Sequence, residues 1–400
     1  MRTEVFYIWF QQAIGFYSRL ARDIFSRFES ITEIYNCDDF SFLGKDKEKY
    51  INRLENKDTS SAFEVLKKCE RIGARVTGYY DELYPERLRN IVAPPAVLYS
   101  IGDFRNLNNI PCIAVVGTRK MTDYGKQTTE KFAYTFAKSG ACIISGLAKG
   151  VDTAAHRGAI MADGFTVAVL GNPIGDIYPK ENVKAFETLY NRGLVVSELY
   201  PGAPRTRADF PNRNRIISGM SDAVVIAEAG EHSGALITAR HAISQGKMLY
   251  AVPGAIGAEN AGTNSLIKTG VPAVTEPYDV LSPLALAYPE TLHPYEPSIT
   301  ENLRSYGNVI RTKKSETRNE PRKEKTETVQ EAPQFEKETL SGENSERILM
   351  LLKGPSPLTA DEISARLGIS VSDVMTELTL MEIDGSIISS AGGRYISSKF

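Results

Sequence analysis

An α/β protein built on a doubly wound, mostly parallel sheet is what this sequence predicts, with a small helical region before the sheet and a winged helix after it. Two observations carry that expectation. Between about residues 110 and 280, six short apolar runs alternate with helix-length amphipathic segments: CIAVVG, ACIISG, TVAVLG, LVVSEL, AVVIAEA and MLYAVPG. Strands that are apolar on both faces and separated by helices belong to a parallel sheet covered on both sides. On either flank the texture changes, to helical spacing alone before residue 75 and to helices ending in a short hairpin after residue 346.

The elements follow in order. Residues 1–75 carry Ile14, Tyr17, Leu20, Ile24 and Phe28 at helical intervals, with breaks at NCDDFS and ENKDTSS, which predicts a helical bundle serving packing or dimerisation and no chemistry. Residues 76–285 hold the sheet. Residues 286–345 form the next part, whose stretch from Arg311 to Ser345 mixes both charges and has almost no large apolar side chains, the composition of a disordered linker. Residues 346–400 resume periodicity with ERILMLLK, TADEISARLG, SVSDVMTELTLMEIDGSI and GRYISS, three helices and a hairpin.

The 400 residues are 42% hydrophobic, enough for one large core and small flanking domains. A net charge of −2 excludes a globally basic nucleic-acid coat, so any polyanion site must come from local clustering. Cys37, Cys69, Cys112 and Cys142 lie far apart without a C-x-x-C and read as core residues. The start lacks a basic leader, and no run approaches about 18 apolar residues, which predicts a soluble cytoplasmic chain without a membrane segment.

Chemistry in such a sheet belongs at the carboxyl ends of the strands. After the first run, VVGTRKMTDYG offers Gly117 for a tight turn, Thr118, the cation Arg119, and Thr122 or Asp123 as helix cap. It is not the dinucleotide G-x-G-x-x-G, because Gly117 and Gly125 have the wrong spacing. After the second, SGLAKGVDTAAH supplies Ser145 and Gly146, with Asp152 or Thr153 as cap; after the third, LGNPIGDIYPKEN places Lys180 at a helix start. The fourth is followed by SELYPGAPRTRADFPNRNRIISG, and the fifth by EAGEHSGALITARHA, where Ser233 and Gly234 open a helix. Singly these are ordinary turn chemistry. On one edge, Arg119, Lys180, Arg213, Asn214 and Arg215 can converge on an extended anion, extended by Arg205 and Arg207, since arginine suits bidentate phosphate contact. The alternative is a structural network in which Arg213 and Arg215 pair with Asp209 and Asp222. Phe210 and Tyr178 flank the cluster as stacking or core residues.

IAVVGTRKMTDYG, SGLAKGVDTAAHRGAI, TVAVLGNPIGDIYPKEN, LVVSELYPG, FPNRNRIISGMSDAVVIAEAGEHSGALITARHAISQGKMLYAVPG and GTNSLIKTG together resemble the bacterial DNA processing protein A family (DprA, also called Smf). The resemblance is continuous over roughly residues 70–280 and looser over the amino-terminal and carboxyl-terminal parts. It implies a Rossmann-like central domain, an amino-terminal domain of the sterile-alpha-motif or helix-hairpin-helix kind, and a carboxyl-terminal winged helix. It also implies a homodimeric, non-enzymatic cytoplasmic protein that binds single-stranded DNA, protects incoming strands in natural transformation and loads the RecA recombinase. On that resemblance Arg119 and Lys180 contact phosphates, Arg213, Asn214 and Arg215 shape the pocket, and Gly117, Thr118, Ser145, Gly146, Ser233 and Gly234 line it. Thr118 stands where the family usually has Ser, and Asn172-Pro173 replaces a Gly-rich stretch.

The rival class is a nucleotide-hydrolysing enzyme of the phosphoribohydrolase ("lysine decarboxylase-like") group, whose P-G-G-x-G-T-x-x-E loop carries a Glu. Here AGEHSGALITA places Thr238 where that Glu would fall, leaving Glu198 and Glu228 as strand-end acids. His156, His232, His241 and His293 have no metal-ligand spacing, and neither metal nor cofactor is expected. The third helix of the winged domain carries Asp373, Glu377, Glu382 and Asp384 and no basic residue, which predicts protein contact in place of duplex binding.

Overall fold

A computed structural model of the chain describes residues 2–295, except 104, 106 and 178–182, together with 343–397, except 353–357, 372, 373, 375, 376, 379, 380, 382–386 and 391–393. The chain divides into two compact units, Met1–Thr312 and Lys313–Phe400.

The first unit begins with five helices, α1 (Thr3–Ile14), α2 (Leu20–Phe25), α3 (Ile31–Asn36), α4 (Glu48–Glu55) and α5 (Ser60–Arg71). Helix α1, TEVFYIWFQQAI, is apolar nearly all round and is therefore enclosed, with Val5 to Phe10 all buried. The sheet and its helices follow: β1 (Arg75–Gly78), α6 (Glu86–Arg89), β2 (Val97–Gly102), β3 (Cys112–Gly117), α7 (Asp123–Lys138), β4 (Cys142–Ser145), α8 (Val151–Met161), β5 (Thr166–Leu170), α9 (Val183–Arg192), β6 (Leu194–Ser197), α10 (Asp209–Gly219), β7 (Ala223–Glu228), α11 (Ala235–Ser244), β8 (Met248–Ala251), α12 (Ala261–Lys268) and α13 (Tyr278–Ala287).

The strand order is β1-β2-β6-β5-β4-β3-β7-β8. The six strands read from the apolar runs are parallel, with Ile113 opposite Ala223 and Ile144 opposite Val167. Strands β1 and β2 add an antiparallel edge beyond β6 that the six runs do not include. The order reverses at β3, with β4, β5 and β6 to one side and β7 and β8 to the other, which opens a crevice at the carboxyl ends of β3 and β7.

One face of the sheet is covered by α7 and α8, whose Phe132, Phe136, Val151 and Ala155 pack on Val115, Ile143 and Val225. On the same face, further along, Val5, Ile8 and Phe10 of α1 share a core with Tyr99, Ala168 and Val195. The amino-terminal helices are thus fused to the sheet. The other face lies under α10 and α11, through Ile216, Ile217, Ala235 and Ala239 on Val116, Val224 and Ile226. Packing continues past residue 285: Leu292 is buried and the His293 N–H donates to the Ser139 carbonyl at 2.8 Å. The region read as linker, 286–345, is otherwise almost wholly outside the described residues.

Cys69, Cys112 and Cys142 are buried, Cys37 is half-buried, and all four are free thiols. Among the described residues no helix is long and apolar enough to cross a membrane.

The second unit has its own core. Helix α14 (Glu343–Leu352) precedes β9 (Leu358–Thr359), α15 (Ala360–Leu367) and the hairpin β10 (Ile387–Ser390) and β11 (Arg394–Ser397), with strand order β10-β11-β9. Thr359 and Glu362 form a capping box, and Gly368 closes α15 in the left-handed conformation. Val374, Leu378 and Met381, spaced as one helical face, join Ile348, Leu352, Ile363 and Ile387 in the interior. Of the acids assigned to this third helix, Glu377 is described and Asp373, Glu382 and Asp384 lie outside the described residues.

Candidate nucleic-acid interface

The carboxyl ends of β3 and β7 open onto a cavity of about 510 Å³. Gly117, Thr118, Arg119 and Lys120 form one wall, Ala148 and Asp152 a second, Phe210, Pro211, Arg213, Asn214 and Ile217 a third, and Ser233, Gly234 and Ala235 with Ile237 and Thr238 the fourth. Each wall is fixed by backbone before any ligand arrives.

The β3 loop is held from both sides: the Thr118 N–H donates to the Glu228 carbonyl at 2.7 Å, and the Thr118 carbonyl accepts from the Val151 N–H at 3.2 Å. Gly150 makes that crossing possible. Its φ is +91°, and a Cβ there would meet the Arg119 carbonyl carbon at 2.8 Å. Thr122 caps α7 by accepting from the Gly125 N–H at 3.0 Å, while the buried Glu228 carboxylate accepts from the Thr122 N–H at 2.9 Å. Arg119 is exposed and, among the described residues, makes no ion pair or side-chain hydrogen bond.

Asp152, one of the two residues expected to cap α8, turns back instead. Its Oδ2 accepts from the Gly146 N–H at 3.2 Å and the Ala148 N–H at 3.4 Å, and Gly150 takes the cap position. Burial pushes the Asp152 carboxyl up from its ordinary range, an effect that the Arg213 guanidinium opposes.

The stretch DFPNRNRIISG, read as a strand-end loop, is helix α10. Pro211 stands in its first turn, where a missing N–H leaves no helical bond unmade. Phe210, Arg213, Asn214 and Ile217 share one face and all line the cavity. Arg213 is buried, and its Nη1 donates to the Gly146 carbonyl at 2.7 Å and to the Val169 carbonyl. Gly146 itself has no room for a side chain beside that guanidinium. Burial pulls the Arg213 guanidinium down to about 10; Asp152 opposes the fall and Arg119 adds to it. The Asn214 Nδ2 donates to the Gly234 carbonyl at 3.4 Å, and Phe210 lies against Gly171 at the end of β5.

Arg215 is placed elsewhere. Two residues along a helix is about 200° of rotation, so it faces away from the cavity wall formed by Arg213. There it pairs with the buried Glu198 at 2.8 Å and donates to the Ala93 carbonyl at 3.0 Å. The arginines do belong to a structural network, with other partners than Asp209 and Asp222. Asp222 pairs with Arg87 at 2.7 Å, and Asp209 accepts from the Tyr17 hydroxyl at 3.1 Å. Ser145 lies behind the cavity, its hydroxyl donating to the Val115 carbonyl at 2.7 Å. Ser233 accepts from the Ala235 N–H at 3.3 Å as α11 opens. Lys180 and Tyr178 lie outside the described residues.

Two features escaped the sequence reading. Asp152 is the one carboxylate among the described lining residues. Tyr17, in a segment read as serving packing or dimerisation, holds φ +61°, and the Arg215 guanidinium lies 5.2 Å from its ring centre. Its neighbour Gly15, also at positive φ, was the available sign of a sharp turn there. Thr238, in the position where the hydrolase loop has Glu, is nearly buried and lines the cavity.

The profile of the DNA recombination-mediator protein A family matches residues 75–285, which include every described wall of the cavity, and that of the DprA winged helix domain matches residues 331–393. Protein Smf of Synechocystis sp. is 33% identical over 352 residues, covering 87% of this chain and 85% of its own length. The DNA processing protein DprA of Bacillus subtilis is 38% identical over 221 residues, covering 55% of this chain and 74% of its own. The X-ray structure of DNA processing protein A from Streptococcus pneumoniae superposes with a TM-score of 0.59 at 30% identity, over 70% of this chain and 98% of that one. With its central domain, winged helix and strand-end cavity all inside these matches, the chain belongs to the DNA recombination-mediator protein A family.

Proposed function

We propose that the carboxyl edge of the sheet binds single-stranded DNA through its phosphates, and that this cytoplasmic protein acts as a homodimer that protects incoming strands in transformation and loads RecA on them. The observation that carries the binding step is Arg119: an exposed cation with no acid partner among the described residues, on the wall of a cavity whose far side is the amino terminus of α11. Helix amino termini and unpaired arginines attract phosphate whatever base it carries. The family membership and the DNA-processing names of the relatives support strand handling as the wider role. The acidic third helix of the winged domain fits protein contact in place of duplex binding.

The test is single-stranded DNA affinity across a salt series for the wild type and for Arg119→Ala combined with Lys180→Ala, with nucleotide hydrolysis followed in parallel. Each phosphate that the variant no longer neutralises should flatten the log–log salt dependence by about 0.7. Unchanged affinity in the double variant, or consumption of nucleotide, would refute the reading. Sedimentation of the full chain and RecA filament formation on a protein-covered strand test the remaining steps.

A further inference from the structure

We propose that Tyr124 is a stacking platform for one base of the bound strand, a subsite that rests on the single-stranded DNA reading above. Among the described Phe, Tyr and Trp residues Tyr124 is the most exposed, at 49% against 36% for Phe42 and Phe63. Phe42 is partly covered by the Arg27 guanidinium 4.6 Å from its ring centre. The Tyr124 ring has neither an aromatic nor a cationic neighbour among the described residues.

An exposed ring is common; a fixed one at a cationic rim is not. Helix α7 holds the Cα end of Tyr124, and the hydroxyl donates to the Pro253 carbonyl at 2.9 Å. The segment that accepts this bond is anchored in turn. The Gly254 N–H donates to Asn264 Oδ1 at 3.2 Å, and the Gly254 carbonyl accepts from Asn264 Nδ2 at 3.0 Å. A ring already immobilised at both ends loses little conformational freedom when a base covers it, so more of the stacking energy appears as affinity.

The position agrees with the path of a strand along the sheet edge. Helix α7 follows β3 and Pro253 follows β8, two strand spacings away, roughly 10 Å. Tyr124 therefore bridges the ends of β3 and β8 on one side of the cavity, while Phe210, against Gly171, marks the end of β5 on the other. Arg119 and Lys120, which line the cavity, lead directly into the turn that carries Tyr124. Two aromatic rings thus flank a cationic cavity along one edge, an arrangement suited to alternate base and phosphate contacts.

The competing role is a tether, in which only the bond to Pro253 matters. Full-length variants separate the two. Against a poly-thymidylate oligonucleotide, Tyr124→Leu should bind about ten-fold or more weakly and Tyr124→Phe, which keeps the ring and loses the tether, only about two- to three-fold more weakly than the wild type. An oligonucleotide of equal length without bases should bind the wild type and Tyr124→Leu alike. In Tyr124→Trp the exposed indole should be quenched by the first oligonucleotide and not by the second, over the constant emission of the buried Trp9. Equal weakening in Tyr124→Phe and Tyr124→Leu, or no weakening in Tyr124→Leu while the wild type binds, overturns the platform alone. A wild type that does not bind overturns the underlying reading as well.

Discussion

Lowering the pH from 7.5 to 5 should destabilise the first unit by about 2 kcal/mol through one side chain, His156. The residue is 1% exposed on α8, and its Nδ1 lies 2.7 Å from Thr166 Oγ1. Thr166 spends its own proton on the Ile143 carbonyl at 2.8 Å, so Nδ1 must carry the hydrogen and Nε2 the lone pair. That Nε2 is buried with no partner. Burial, and then the Arg213 guanidinium, lower the imidazole from 6.5 to about 3. Because the folded value lies below the unfolded one, the unfolded chain binds the extra proton. Stability is complete above pH 6.5 and is lost as pH falls toward 3, at about 1.36 kcal/mol per unit. From 6.5 to 5 that is about 2 kcal/mol, or a urea midpoint lower by about 0.7–1 M for a slope of about 2–3 kcal/mol/M. His156→Leu keeps the Thr166 bond to Ile143 and removes the titration, so its midpoint should move less than the wild type's by that amount. Parallel pH profiles for the two proteins would refute the assignment.

Three further outcomes follow from the cavity walls and from the buried arginines of α10. Arg213→Lys ends one bond short of the Nη1 that donates to both the Gly146 and Val169 carbonyls, so it should lose about 2–3 kcal/mol in urea unfolding together with strand affinity, whereas Arg119→Lys keeps an exposed charge and should keep the stability. Loss of affinity without loss of stability in Arg213→Lys would mean that this guanidinium contacts the strand directly. Asp152→Asn preserves an acceptor for the Gly146 and Ala148 N–H groups and removes the carboxylate from the wall; binding should tighten by about two- to five-fold, or about 0.5–1 kcal/mol, at low salt, and an unchanged or weaker affinity would place the phosphates elsewhere. Arg215→Met strands the buried Glu198 and should cost about 3–5 kcal/mol, much of it recovered by adding Glu198→Leu; equal midpoints for the single and double variants would show that the charge is not stranded.

The parallel strands were legible because a strand buried on both faces must be apolar throughout, and runs such as AVVIAEA have no competing reading at that length. Strand β1, RVTG, escaped because it is only four residues long and Val76 is its one large apolar side chain, although Thr77 and Gly78 are buried with it. Helix α10 was the costlier miss. NRNR looks like a patch of donors when it is read as a loop, in which all four side chains point to one ligand. Wound at 100° per residue, the same four residues divide: Arg213 and Asn214 go to the cavity and Arg215 to Glu198. The helical period of Phe210, Arg213, Asn214 and Ile217 was present in the sequence. Pro211 and the run of polar residues concealed it, because both are ordinary marks of a loop and the partners that bury these arginines lie far away in the chain. Glu198 is 17 residues from Arg215, and Val169 is 44 from Arg213.

That division explains how a chain of near-neutral net charge can hold a polyanion site. The buried cations set geometry: Arg213 joins the turn after β4 to the end of strand β5, and Arg215, against the Tyr17 ring, ties α10 to Glu198 and to the amino-terminal segment. Their charges are answered by Asp152, Glu198 and backbone carbonyls, so they add little to the field outside. Arg119 and Lys120, exposed on the loop after β3 that Glu228 and Val151 hold, are the cations left for the proposed strand to meet. The ordering of the walls is completed on folding and does not recur on binding. Affinity can then come from a few unpaired charges and two flanking rings, Phe210 and Tyr124, while the sheet edge stays free of the broad basic surface that the composition rules out.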